Sequence, residues 1–137
     1  MAELQRPPRG LLDTSAIIDL EQIEAVALPY EIAISALTLA ELAAGPHAAT
    51  TPTERGRRQD RLQRTEAVFD PLPFDADVAR AYGRVFSAVA ATQRKPRGAR
   101  AVDLMIAATA LAAQLPLYTR NPSDFDGLHD LIDVVTV

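Results

Sequence analysis

The chain has 137 residues, with 18 acidic side chains against 14 basic ones, two histidines and no cysteine. That length fits one domain, 1–137, that buries about two-thirds of its unfolded surface, and the missing thiols exclude a disulfide framework and a thiolate metal site. A net charge of −4 excludes a general nucleic-acid coat, so contact with a polyanion has to use local arginine patches, Lys95 being the only lysine.

The first ten residues, MAELQRPPRG, carry charges and no apolar run of the signal-peptide kind, which predicts a cytoplasmic protein. Gly10-Leu11-Leu12 then predicts a short buried strand ending at Asp13, with Thr14 or Ser15 capping a brief helix. A second strand is expected over Glu31 to Ile34. Ser35 opens a helix that carries Thr38 and Glu41 and is expected to stop at Gly45-Pro46. The run from Thr53 to Val68 reads as an exposed, ion-paired helix, and Phe69 to Leu72 as a third strand. Asp75 caps a helix in which Val78, Tyr82, Val85 and Val89 recur on one face, ending near Thr92.

Arg94, Lys95, Arg97 and Arg100 cluster in a loop that feeds the apolar helix Ala101 to Gln114, whose first turn holds Asp103. This stretch is too short and too interrupted to span a bilayer, so no membrane is expected. Leu117 to Thr119 reads as a strand, Arg120 to Gly127 as a loop with a turn of helix, and Asp133 to Val137 as a last strand. Strands alternating with helices predict an α/β fold with a mainly parallel sheet of four to five short strands, covered on both faces.

Four carboxylates stand where one element gives way to the next: Asp13, Glu41, Asp103 and Asp124. Ligands in open α/β sheets bind beyond the carboxyl ends of the strands, where these acids are able to meet. Close together in a partly dry cleft they would repel, unless a hard cation such as Mg²⁺, or Mn²⁺ in its place, took their oxygens. Singly, each has an ordinary role: Asp13 and Asp103 as helix-start acids, Glu41 as solvated surface, Asp124 as a turn former with Asp126 close enough to compete. His47 and His129 lie beside loops with no partner at ligand spacing.

LLDTSAIIDL, TLAEL, AVDLMIAATAL and TRNPSDF, in that order, resemble the PIN domain, and within it the VapC ribonuclease toxins of bacterial toxin-antitoxin pairs. The resemblance implies a three-layer α/β/α sandwich with Asp13, Glu41, Asp103 and Asp124 as catalytic and metal-binding acids. Thr14, Ser15, Thr119 and Asn121 match the small polar positions around them, expected to orient carboxylates or metal waters. It also implies a Mg²⁺-dependent endoribonuclease leaving 5′-phosphate and 3′-hydroxyl ends, a VapB-like antitoxin as inhibitor, a homodimer and a higher toxin-antitoxin assembly. One metal or two is left open. The basic loop, Arg94, Lys95, Arg97 and Arg100, is the expected resting place for RNA phosphates. Two alternatives remain at this point: a PIN module that binds RNA or a protein without cutting, and a phosphohydrolase that uses Asp13 as a phosphoaspartyl nucleophile.

Overall fold

The fold, taken from a computed structural model, is described for residues 8–92 and 98–137. Four strands, β1 (Arg9–Leu12), β2 (Glu31–Ala33), β3 (Leu117–Thr119) and β4 (Val134–Thr136), pair in parallel in the order β2-β1-β3-β4. Around them stand α1 (Thr14–Ile18), α2 (Ala36–Ala48), α3 (Pro52–Val68), α4 (Ala76–Ala90) and α5 (Ala99–Ala113).

Side chains alternate across a strand, and here the alternation creates two cores. Leu11 and Leu117 face a cluster with Val78, Val85 and Val89 of α4 and Leu104, Ile106 and Ala107 of α5. Their neighbours Leu12 and Tyr118 face the opposite cluster, with Ala16, Ile17 and Leu42. The sheet is therefore sandwiched between α4 with α5 and α1 with α2, the three-layer arrangement the sequence predicts. No helix among the described residues is long and apolar enough to cross a membrane.

At Gly10 the two sides of the sheet leave no room for a methyl group. A Cβ there would meet the Tyr118 ring, with Cδ1 at 2.9 Å, and Pro29 Cγ at 3.1 Å. Tyr118 is itself buried and cannot swing clear. Gly10→Ala is expected to destabilise the fold by about 1–3 kcal/mol through overpacking, measured as a lower urea midpoint with an unchanged slope.

Several boundaries differ from expectation. The cap of α1 is Asp13, whose side chain accepts from Ala16 N, rather than Thr14 or Ser15. Helix α2 does not stop at Gly45-Pro46 but runs on to Ala48. Its last carbonyls are captured from α3, Gly45 O by Arg58 Nη1 at 2.9 Å and Pro46 O by Arg55 Nε at 3.3 Å. The missing N–H of Pro46 costs one bond, and these arginines serve the free carbonyls of that helix end.

Phe69 to Leu72 supplies only an isolated parallel bridge, Leu72 to Ser35, because Pro71 and Pro73 flank Leu72 and have no N–H to offer a ladder. Helix α5 begins at Ala99 after Gly98, which takes a positive φ of 54°. Asp103 is therefore in the second turn, past the reach of the helix dipole expected for it. Of the basic loop, Arg94, Lys95 and Arg97 lie outside the described residues.

Candidate metal centre

The strand order means that the chain leaves β1 toward β2 and returns on its other side as β3. The crevice beyond the carboxyl ends of β1 and β3 is the switch point where such sheets take ligands. Asp13 follows β1 directly and is only 4% exposed. Its Oδ1 accepts from Ala16 N at 2.9 Å and from the Ser15 hydroxyl at 2.7 Å, and its Oδ2 from the Thr119 hydroxyl at 2.6 Å. A carboxylate offers about four acceptor positions, so the one left over is available to a ligand.

These hydroxyls are themselves fixed. Thr119 Oγ1 accepts from Asn121 N at 2.9 Å, and Ser15 Oγ from Arg120 N at 3.1 Å. Asn121 thus contributes through its main chain, while Thr119 and Ser15 contribute side chains. Thr119→Val would leave a buried carboxylate oxygen and the Asn121 N–H short of a partner. It is expected to destabilise the protein by about 1–3 kcal/mol at neutral pH, read by chemical denaturation.

Glu41 is reached from the other side. It sits on α2 three residues after the fully buried Thr38, hence on the same helix face. The Thr14 hydroxyl, 3.1 Å from that of Thr38, donates to Glu41 Oε1. Thr38 was not among the expected site residues, although its spacing from Glu41 carried the signal. Asp103 comes in on α5, and Asp124 on a 3-10 turn, Pro122–Phe125, that follows β3.

Electrostatics join the four. The Asp103 carboxyl is pushed up to about 7, first by burial and then by the charges of Asp124, Glu41 and Asp13, while Arg100 pulls it down. Asp13 is raised as well, mainly by burial, with its three hydrogen bonds opposing and Asp124 adding to the rise. Asp124 is a late acid whose charge both of these groups feel. Nevertheless, among the described residues no group of three or more His, Asp or Glu is drawn up tightly enough to enclose a metal ion. The two findings are compatible because like charges act on one another well beyond bonding distance. The carboxylates share a field but do not form a closed cage.

The PIN domain model matches residues 10–128. The chain belongs to the PIN-domain family, among its VapC ribonucleases. It is 37% identical to ribonuclease VapC5 of Mycobacterium tuberculosis over 125 residues, covering 89% of each chain. Ribonuclease VapC4 of the same organism is 32% identical over 133 residues, covering 94% of this chain and 97% of that one. Among solved structures, the VapBC-5 toxin-antitoxin system of M. tuberculosis superposes with a TM-score of 0.80 at 33% identity, over 96% of this chain and all of its counterpart. The PIN fold accounts for the parallel sheet and its layers.

One contact of this PIN chain had no forerunner in its sequence. Arg120 Nε reaches Asp19 Oδ2 at 3.3 Å and so ties the loop after β3 to the end of α1. Arg100 has Nε and Nη2 buried without a hydrogen bond, close enough to Asp103 to act on it.

Proposed function

We propose that this chain is the toxin of a toxin-antitoxin pair, a metal-dependent endoribonuclease of the cytoplasm that leaves 5′-phosphate and 3′-hydroxyl ends. The observation that carries the reading is the Asp103 carboxyl, raised first by burial and then by three other acids that lie far apart in sequence. Among the described residues Arg100 is the cation that opposes this rise, and a hard divalent cation would relieve the repulsion that is left. The donor set fits Mg²⁺ or Mn²⁺, being carboxylate and hydroxyl oxygen with no sulfur.

Asp13 and Asp103 would be direct ligands, with Asp124 a ligand to a second ion or an outer acceptor. Glu41 would be a ligand or the base that takes a proton from the attacking water. When bound, the cation lowers the pKa of water and offsets charge on the phosphate. Ser15 and Thr119 keep the Asp13 carboxylate turned to its task, and Thr14 does the same for Glu41. Arg100 supplies positive charge beside Asp103, and Arg94, Lys95 and Arg97 would offer theirs to RNA phosphates.

A nucleophilic Asp13 fits less well, since both of its oxygens are already held by donors in a buried position. The related VapBC-5 structure is that of a toxin-antitoxin system, and on that likeness a cognate VapB-like antitoxin is proposed here as inhibitor, with a toxin homodimer in the assembly. Incubating the purified chain with a panel of RNAs tests the reading. Cleavage should require Mg²⁺ or Mn²⁺, stop with a chelator, and give fragments that a 5′-phosphate-dependent exonuclease degrades. Metal-independent cutting, or 2′,3′-cyclic phosphate ends, would overturn it.

A further inference from the structure

The charge-rich helix α3 is not uniformly the ion-paired face that its sequence suggests. Arg57 and Arg58 pair with Glu54, at 3.5 and 3.1 Å, and Arg58 also holds Gly45 O. Arg61 and Arg64, one turn further on, have guanidinium groups with no ion pair or hydrogen bond among the described residues. Both line clefts. One, of about 370 Å³, runs from Thr14 and Glu41 past Ile18 to Arg58 and Arg61. The next, of about 400 Å³, is lined by Ile18, Arg61, Arg64, Val68 and Phe69.

Ile18 and Arg61 belong to both clefts, so the two abut and form a path that starts at Glu41. The acids along it are mostly engaged: Glu41 by Thr14, Glu54 by Arg57 and Arg58, and Asp19 by Arg120, with Glu21 the exception. Beyond Arg61 the lining turns apolar, and it does so in the open, with Ile18 43% and Val68 72% exposed. A cationic rail beside exposed aliphatic side chains, with the half-buried Phe69 ring in the same lining, is a combination that takes single-stranded nucleic acid, phosphates on the arginines and unstacked bases on the floor. Each cleft is of a size that holds a nucleotide.

We propose that this path is a subsite for single-stranded RNA flanking the cut, with Arg61 and Arg64 holding backbone phosphates and Ile18, Val68 and Phe69 receiving a base. The proposal rests on the nuclease reading above. It assigns to α3 a role separate from the one expected of the loop before α5. Arg61 and Arg64 are positioning residues, acting on substrate several nucleotides of path away from the reacting phosphate.

The test uses the full chain carrying Asp103→Asn, without divalent metal, and a fluorescent single-stranded RNA of about a dozen nucleotides, long enough to cover several phosphate contacts. Anisotropy titrations across a range of salt should show Arg61→Ala with Arg64→Ala weakening affinity and lowering the magnitude of the log-log salt slope by about 1.4, two contacts at about 0.7 each. Arg57→Ala, which is paired and outside both clefts, should leave the slope unchanged. The same sequence in duplex form should compete at least about tenfold more weakly, its bases being stacked away.

In the otherwise wild-type chain the double arginine variant should raise KM about tenfold with kcat nearly unchanged. Wild-type affinity and slope in that variant would overturn the subsite, as would equal competition by duplex. If those measurements are matched by a loss of binding to a cognate antitoxin instead, the path is a protein groove and the proposal falls. RNA that binds through Arg61 and Arg64 but is never cut, even with metal, would sink the nuclease reading and leave the subsite standing.

Discussion

Asp13→Asn and Asp103→Asn should each lower metal-dependent RNA cleavage by about three orders of magnitude or more, about 4 kcal/mol of transition-state stabilisation. The two changes remove a ligand charge without removing shape. Asn at 13 still offers an oxygen to Ala16 N, so the cap of α1 survives. Asn at 103 has no charge for Asp124, Glu41 and Asp13 to repel. Folding should therefore be preserved, and the melting temperature of Asp103→Asn should equal or exceed that of the wild type without metal. The check is a single-turnover cleavage assay with the most readily cut RNA of the panel, run beside a thermal melt. Either variant retaining full activity would remove the acid cluster from the mechanism.

The second large effect is on stability and its dependence on pH. The Asp103 carboxyl moves from its ordinary 3.8 to about 7 on folding, and Asp13 moves in the same direction. Between those values the folded chain binds more protons than the unfolded one, so stability falls as pH rises through the window and is highest on its acid side. The metal-free protein should melt at a lower temperature at about pH 7.5 than at about pH 5, and Asp103→Asn should flatten that dependence. A divalent cation reverses it. Mn²⁺ or Mg²⁺ at a hundred times its dissociation constant adds about 2.7 kcal/mol, and it should raise the melting temperature more at neutral than at acid pH, because protons compete for the same oxygens. The double variant Asp13→Asn, Asp103→Asn should show no shift. Equal shifts in both proteins would mean that the cation binds elsewhere.

The layers were legible in the sequence because strands alternate with helices along the chain, and the structure shows the result in Leu11 and Leu117 facing one core and Leu12 and Tyr118 the other. Asp13 and Asp103 stood out as candidates because acids flanked by apolar runs are conspicuous, whereas Asp124, in the polar stretch TRNPSDF, was put forward with them on the resemblance. What the sequence concealed depended on partners from other elements. Gly45-Pro46 reads as a stop, and only the arginines of α3 explain why the helix passes through it. Asp13 presents two readings, cap and ligand, as though they were rivals, whereas one carboxylate fills the cap position and still has an acceptor to spare. Nor does the helical run of charge in α3 tell which arginines are spoken for, since Glu54 reaches two of them and, among the described residues, no acid reaches Arg61.

The bond between Thr119 and Asp13 joins residues 106 positions apart, and β1 finds its β3 neighbour across nearly the same span. A chain growing from the ribosome makes Asp13 long before Thr119 and Asp124, 106 residues separating the first two. Until then β1 has only β2 beside it, Asp13 lacks the hydroxyl on its Oδ2, and the crevice has one wall. A toxin of the kind proposed above would gain from such lateness: no nascent fragment is armed, and the interval between synthesis and release is one in which an inhibitor is able to be waiting.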